Sequence, residues 1–299
     1  MINFKETVAI IGVGRLGSAL AQALYRNGYS IIGLIDQDLY RAEQISHLVN
    51  AEICSKDLFD LTEVDIIFTC VPDDAIEGVV SQLESLRKQN SILKFVFHCS
   101  GALTSDVFDP LKKNGIAGAS FHPIQTFAGK KDDWQKLSNI YFGVEGDSEA
   151  IKKASEIIQK LKSNQVIIPK EFKNMYHLAC TVASNYLVSL VASAVDIFKK
   201  LNFSEQEILK MLHPLLSTTL SNLAEKGIDD ALTGPISRGD RATIEKHVET
   251  LSRNLPFYES MYKLHGKILL GLKSVRDTIS DEKHQELMKL LNGKGLEYD

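Results

Sequence analysis

Short apolar runs separated by glycine, proline and aspartate fill the first half of the chain, and helical periodicity fills the second. Thr7–Ile11 reads as a buried strand, and Ser18–Asn27 as a helix that Gly28 can cap. Tyr29–Ile35 is a second strand, with a helix after it from Leu39 to Val49 and a short strand at Ala51–Cys54. Val64–Val71 is a buried strand ended by Pro72-Asp73-Asp74, whose acids cap a helix from Ala75 to Leu86. Phe95–Cys99, Ile116–Phe121 and Ile140–Val144 complete the strands. Such alternation predicts an α/β unit with a mostly parallel sheet and helices on both faces. After Ile168-Pro169 no strand-like run follows. Helical periodicity covers 170–201, 205–226, 241–254, 256–273 and 281–292, and Gly293–Asp299 reads as a frayed tail. The predicted division is therefore an α/β domain over 1–167 and an all-α domain over 168–299.

The first strand runs into Gly12-Val13-Gly14-Arg15-Leu16-Gly17. Each glycine has its own task in a dinucleotide-binding, Rossmann-like turn. Gly12 makes the tight turn, Gly14 lets the backbone approach a pyrophosphate, and Gly17 lets the helix pack on the strand. Free N–H groups and the helix dipole favour the phosphates there. The second strand ends at Asp36, where a carboxylate accepts from a ribose 2′-OH. The expected cofactor is NAD(P), and Asp36 tilts the choice modestly to NAD, although Arg41 is near enough to meet a phosphate.

Composition narrows the class. Lys and Arg total 34 against 38 Asp and Glu, a formal net charge of −4 with no basic block, so nothing points to nucleic acid. The first apolar run is short and leads straight into the glycine motif, so no signal peptide is read and a cytoplasmic protein is expected. Cys54, Cys70, Cys99 and Cys180 show no CxxC spacing and suit reduced thiols. Leu178–Phe198 is apolar over about one bilayer span. It carries Ser184, Asn185, Ser189, Ser193 and Asp196, so it reads as a buried or subunit-interface helix and no membrane partner is expected.

Ligands of open α/β sheets bind beyond the carboxyl ends of the strands. Those ends carry Val71-Pro72-Asp73, His98-Cys99-Ser100-Gly101 and Ser120-Phe121-His122-Pro123. Either histidine is a core residue bonded to backbone or part of a site, and Ser100-Gly101 either binds a carboxylate or turns the chain. On the first helix of the second half, Lys173, His177, Cys180 and Ser184 share a face, with Asn185 at its edge. Lys173 and His177 can supply a proton donor and an anion partner to a ketone under reduction. Arg238 in Gly234-Pro235-Ile236-Ser237-Arg238-Gly239-Asp240 either clamps a carboxylate or pairs with Asp240. His98, Cys99 and His122 lack metal-ligand spacing, and no metal is expected.

With Cys70-Val71-Pro72-Asp73, His122-Pro123-Ile124-Gln125-Thr126-Phe127, Tyr176-His177 and Ser184-Asn185 added, the chain resembles a bacterial family with an N-terminal Rossmann-like domain and a C-terminal helical domain long of unknown function. That family is similar in architecture to 6-phosphogluconate dehydrogenase, pyrroline-5-carboxylate reductase and ketopantoate reductase. The resemblance implies a C-terminal domain like that of 6-phosphogluconate dehydrogenase and reduction of a small 2-oxo acid, with ketopantoate (2-dehydropantoate) in pantothenate synthesis as the leading substrate. In the wider superfamily a catalytic Lys is followed four residues later by Asn. Lys173 fits the first position, but His177 stands at the second, so either can donate the proton. The cofactor would contact Gly12, Gly14, Arg15, Leu16, Gly17, Asp36, Val71, Pro72 and Ser100. Substrate would meet Ser100, His122, Lys173, His177 and Asn185 in a cleft between the domains, within a homodimer. An imine reductase, a non-catalytic NAD(P) sensor and, by fold analogy, a deazaflavin-dependent NADP reductase are the alternatives.

Overall fold

The computed structural model describes residues 6–61, 63–86 and 92–292, so the expected tail at 293–299 lies outside the described residues. Two compact units divide the chain, Met1–Ser184 and Asn185–Asp299. The expected boundary at 167/168 rested on the end of the strand pattern. By contacts the division falls later, inside a helix whose first turns pack on the sheet.

The first unit is an eight-stranded sheet: β1 (Thr7–Ile11), β2 (Ser30–Ile35), β3 (Ile53–Ser55), β4 (Ile66–Thr69), β5 (Phe95–His98), β6 (Ala117–Pro123), β7 (Tyr141–Gly146) and β8 (Asn164–Ile167). Their order is β3-β2-β1-β4-β5-β6-β7-β8, and every pair is parallel except β6 with β7. This is the mostly parallel Rossmann-like sheet that the alternating pattern implied. The helices are α1 (Arg15–Arg26), α2 (Leu39–Val49), α3 (Asp73–Leu86), the single turn α4 (Asp109–Lys112), α5 (Ser148–Lys160) and the start of α6 (Lys173–Lys199). Helices cover both faces because the central strands are apolar on both. One face buries Phe68, Phe97, Phe121 and Phe142, whose rings contact at 4.7–5.8 Å. The other buries Ala9, Ile67, Val96 and Phe108.

Past Val144 the expectation of no further strand fails. β8 adds a parallel edge strand, reached through α5. All four of its residues are exposed, so it carries no inward apolar pattern to read.

The second unit is helical: the remainder of α6, then α7 (Glu205–Ala231), α8 (Arg241–Asn254), α9 (Glu259–Leu270), α10 (Lys273–Thr278) and α11 (Asp281–Asn292). Ser204 and Glu207 form a capping box that starts α7. Gly227, at φ 80°, breaks α7 near the expected end at 226. The expected helix 256–273 is divided, with α9 ending at Leu270 before Gly271. Leu270, Val275, Leu287 and Leu291 form the core of this unit with Ile236 and Ile244.

Candidate active site

The glycine turn closes against β4. Gly12 has φ +89°, and a Cβ there would lie 2.7 Å from the Cys70 carbonyl oxygen. A Cβ on Gly17 would lie 1.9 Å from the Gly12 carbonyl oxygen, so only glycine allows this helix-to-strand packing. Gly14 differs: a Cβ there meets nothing within 4 Å. Packing within the fold does not demand glycine at this position. Gly14 is the N-cap of α1, no side chain caps it, and the first turn holds no acid. The helix therefore presents free N–H groups and a positive dipole end.

Asp36 stands where β2 ends. Its Oδ2 accepts from the Val13 amide at 2.5 Å and its Oδ1 from the Asp38 amide at 2.8 Å. Gly12, Gly14, Asp36, Arg41, Val71 and Pro72 line one groove of about 760 Å³. Arg15 lines a neighbouring groove of about 800 Å³ with Arg41, Lys130 and Lys131. Leu16 instead packs against the core. The glycine loop, the unsatisfied helix end and the Asp36 carboxylate fit a dinucleotide.

A second cluster forms at the carboxyl ends of β5 and β6, where α6 begins. Lys173 is 1% exposed. Its Nζ donates to Ser120 Oγ at 2.5 Å, and Ser120 Oγ donates to the Ser100 carbonyl at 3.1 Å. Burial pulls the Lys173 ammonium down from 10.5 to about 8, and Glu145 leads the groups that oppose the fall. Thr69, His98, Ser120 and Glu145 are successive register partners across β4, β5, β6 and β7, a polar row over four strands. Glu145 accepts from both the amide (2.8 Å) and the hydroxyl (2.7 Å) of Ser105.

His122 shares a hydrogen bond of 2.7 Å between Nδ1 and the Tyr176 hydroxyl. Its ring centre is 6.1 Å from that of His177. Gly101 lies against both rings: a Cβ there would come within 2.6 Å of His177 Cδ2 and 2.9 Å of His122 Nε2. Burial, then the neighbouring Lys173 and His177, push His122 down to about 4, so it is neutral near pH 7. Burial also raises the Tyr176 hydroxyl above its ordinary range. Lys173, Tyr176, His177 and His122 thus form one group that combines a buried ammonium with the neutral His122–Tyr176 pair and the His177 ring beside it.

The structure separates the remaining candidates. His98 is a core histidine: it is fully buried, its Nε2 faces the Thr104 carbonyl at 3.3 Å, and burial pushes it to about 3. Ser100 was expected to meet cofactor and substrate. Its hydroxyl donates to Asp73 Oδ2 at 2.7 Å and accepts from the Ala102 and Leu103 amides, which uses its full capacity for shaping the turn. Asn185 belongs to the second unit and is exposed. Asp240 caps α8 through Thr243, and no ion pair within 4 Å joins it to Arg238 among the described residues. Ser120 and Tyr176 stood in the sequence only as members of the Ser120–Pro123 and Tyr176-His177 runs, with no role of their own, and Glu145 was not named at all. Strand alternation puts Ser120 on the same face as His122, and helical spacing puts Tyr176 beside Lys173, so two of the three had a local signal.

Two family models match parts of the chain. Residues 7–95 match one described as NADP oxidoreductase, coenzyme F420-dependent. Residues 140–268 match a domain family of unknown function. The first unit has a Rossmann-like fold, and its residues 7–95 are similar to the NADP-oxidoreductase model. No curated protein matches the chain. Among solved structures, a Bacteroides fragilis protein described as an NADP oxidoreductase is 23% identical, with TM-score 0.72 over 90% of this chain and 99% of that one. A Thermotoga maritima protein is 26% identical, with TM-score 0.69 over 91% of this chain and 98% of that one. Plasmodium falciparum pyrroline carboxylate reductase, solved with NADP bound, is 12% identical, with TM-score 0.58 over 95% of this chain and 99% of that one. These likenesses carry the fold well beyond the glycine motif.

Proposed function

We propose that this chain is an NAD(P)H-dependent reductase of a small 2-oxo acid, with ketopantoate the first substrate to try. The observation that carries this reading is the buried Lys173 ammonium, hydrogen-bonded to Ser120 beside the His122–Tyr176 pair. Reduced nicotinamide, when bound, supplies the hydride. Lys173 then gives its proton to the oxygen on which negative charge develops, and its low proton affinity makes that transfer easier. Neutral His122, held by Tyr176, orients the carbonyl by hydrogen bonding, and His177 faces the same space. Asp36 suits a ribose 2′-OH, while Arg41 and Lys56 on the same groove suit a 2′-phosphate, so both NAD and NADP are read as acceptable.

A second reading is reduction of a C=N bond, favoured by the likeness to pyrroline carboxylate reductase. The same ammonium would protonate the developing amine. We also read the second unit as the surface of a homodimer. Tyr186 and Val188 on α6 and Leu215 and Ile228 on α7 are 56–69% exposed, large apolar side chains of the kind a second copy would cover. The segment Lys170–Lys199 is long and apolar enough to cross a bilayer, but Lys173 at its start is tied to β6.

The test is a titration of the purified protein with NADH and NADPH, with ketopantoate, with a cyclic imine, and with neither. Loss of nicotinamide absorbance only with ketopantoate supports the 2-oxo acid reading. Loss only with the imine moves the assignment to the second reading, and no turnover with either removes both. Light scattering on the same sample reads the oligomer, and a monomer would remove the interface.

A further inference from the structure

Lys173 raises a problem that the proposed reaction leaves open. A side chain 1% exposed carries an ammonium, and among the described residues no carboxylate lies within 4 Å of it. A buried cation without compensation gives up its proton, and a deprotonated Lys173 has nothing to donate. Something else in this interior must hold the charge in place.

The groups facing Lys173 come from every element around it. His98 on β5 and His122 on β6 are neutral near pH 7. Cys99, after β5, is held protonated by its contact with Cys70 and by burial. Tyr176 and Cys180 come from α6 itself, with Lys173 Nζ 5.5 Å from the Tyr176 ring centre. Among the described residues two carboxylates act on Lys173: Asp73 at the start of α3, and Glu145 on β7. Asp73 is exposed to water, which weakens its field. Glu145 is 5% exposed and sits beside Ser120 in the register of β6 and β7, next to the hydroxyl that holds Lys173. A buried carboxylate needs its own stabilisation, and Ser105 provides it with two hydrogen bonds of 2.8 and 2.7 Å.

We propose that Glu145, fixed by Ser105, is a positioning residue: the buried counter-charge that keeps Lys173 protonated across one strand spacing, Ser120 being both the register partner of Glu145 and the acceptor that holds Lys173. Glu145 does not touch substrate or cofactor in this scheme. It acts only through Lys173, and the inference rests on the reading of Lys173 as proton donor. The separation has chemical sense. A carboxylate in direct contact would trap the proton on Lys173, whereas one held a strand away keeps the charge without taking up the N–H donors that Ser120 leaves open.

The experiment needs no substrate. The full chain is labelled with [ε-¹³C]lysine, and the Lys173 resonance, assigned by its loss in Lys173→Met, is followed against pH. The wild-type midpoint is expected at about 8. Glu145→Gln can still accept from the Ser105 amide through its Oε1 and can donate from Nε2 to the Ser105 hydroxyl, but it removes the charge, and it should lower the midpoint by roughly one pH unit. Asp73→Asn should lower it less. Glu145→Asp, with its charge withdrawn by one methylene, should fall between wild type and Glu145→Gln, and it serves as the test if Glu145→Gln fails to fold. A midpoint unmoved in the Glu145 variants overturns the inference and leaves the donor reading standing. A moved midpoint together with undiminished turnover in Lys173→Met removes the donor reading, and the positioning role with it. With active enzyme, the alkaline limb of the pH–rate profile of Glu145→Gln should move by the same amount as the resonance.

Discussion

Replacing Lys173 by methionine should make the first unit more stable. The Lys173 ammonium falls from 10.5 to about 8 on burial. At pH 7 the folded chain therefore carries a charge it disfavours by about 3 kcal/mol relative to the unfolded chain. Methionine has similar length and no charge, so the penalty disappears. The hydrogen bond to Ser120 disappears with it, at about 1 kcal/mol, and the net gain is about 2 kcal/mol at pH 7. The sign of the pH dependence follows from proton counting. Between pH 8 and 10.5 the unfolded chain holds a proton on Lys173 that the folded chain has lost, so wild-type stability rises with pH in that window. The variant lacks this contribution, and its advantage should shrink as pH approaches 10. Trp134 is the single tryptophan and lies in the first unit, so its fluorescence in urea reports that unit directly. Urea midpoints and slopes at pH 7 and pH 10 give the two differences. A Lys173→Met protein no more stable than wild type at pH 7, with an unchanged difference at pH 10, would refute the argument that this ammonium is held at a cost.

Gly14→Ala and Gly17→Ala should part company. The first adds a methyl to open space and should leave stability within about 1 kcal/mol of wild type while weakening dinucleotide binding at least about tenfold by fluorescence titration. The second clashes with the Gly12 carbonyl and should lose several kcal/mol in urea denaturation, about 3 or more. With Lys173 as donor, kcat/KM should be level through neutral pH and fall above about 8, with no change from His122 until pH nears 4; a rise above pH 8 would exclude Lys173 as the acid. Tyr176→Phe should reduce kcat/KM by about 10- to 100-fold with the fold intact by circular dichroism, because His122 loses its partner.

The α/β class was legible because β1, β2, β4 and β5 are apolar runs closed by glycine, aspartate or proline, and such runs have few other uses. The edge strand Asn164–Ile167 was not, since nothing in an all-exposed strand alternates. The glycine turn could be read residue by residue, down to the packing role of Gly17, because its chemistry is local. The second cluster could not. Lys173 and His177 stood out as a pair on one helix, but the partner that fixes Lys173 is Ser120, 53 residues away. Glu145 is a further register step across the sheet, and its burial follows from strand order, not from any neighbour in sequence. Ser100 misled for a related reason. A serine at a strand end reads the same whether its hydroxyl faces a ligand or, as here, folds back onto two amides and Asp73.

The polar row across β4 to β7 also bears on how the sheet assembles. One residue before Thr69 and His98 stand Phe68 and Phe97, stacked at 5.0 Å in the opposite layer. Parallel strands joined by long crossovers meet late and have few local cues for alignment. A slip by one residue would turn His98, Ser120 and Glu145 into that aromatic layer, Ser120 and Glu145 losing their hydrogen bonds with Lys173 and Ser105, and expose the phenylalanines to the polar side. Misaligned pairings are thereby penalised at several strands together. The residues read here as preparing a proton for transfer also serve as an alignment key, so substitutions along the row should lower the yield of correctly folded protein before their effect on chemistry is measured.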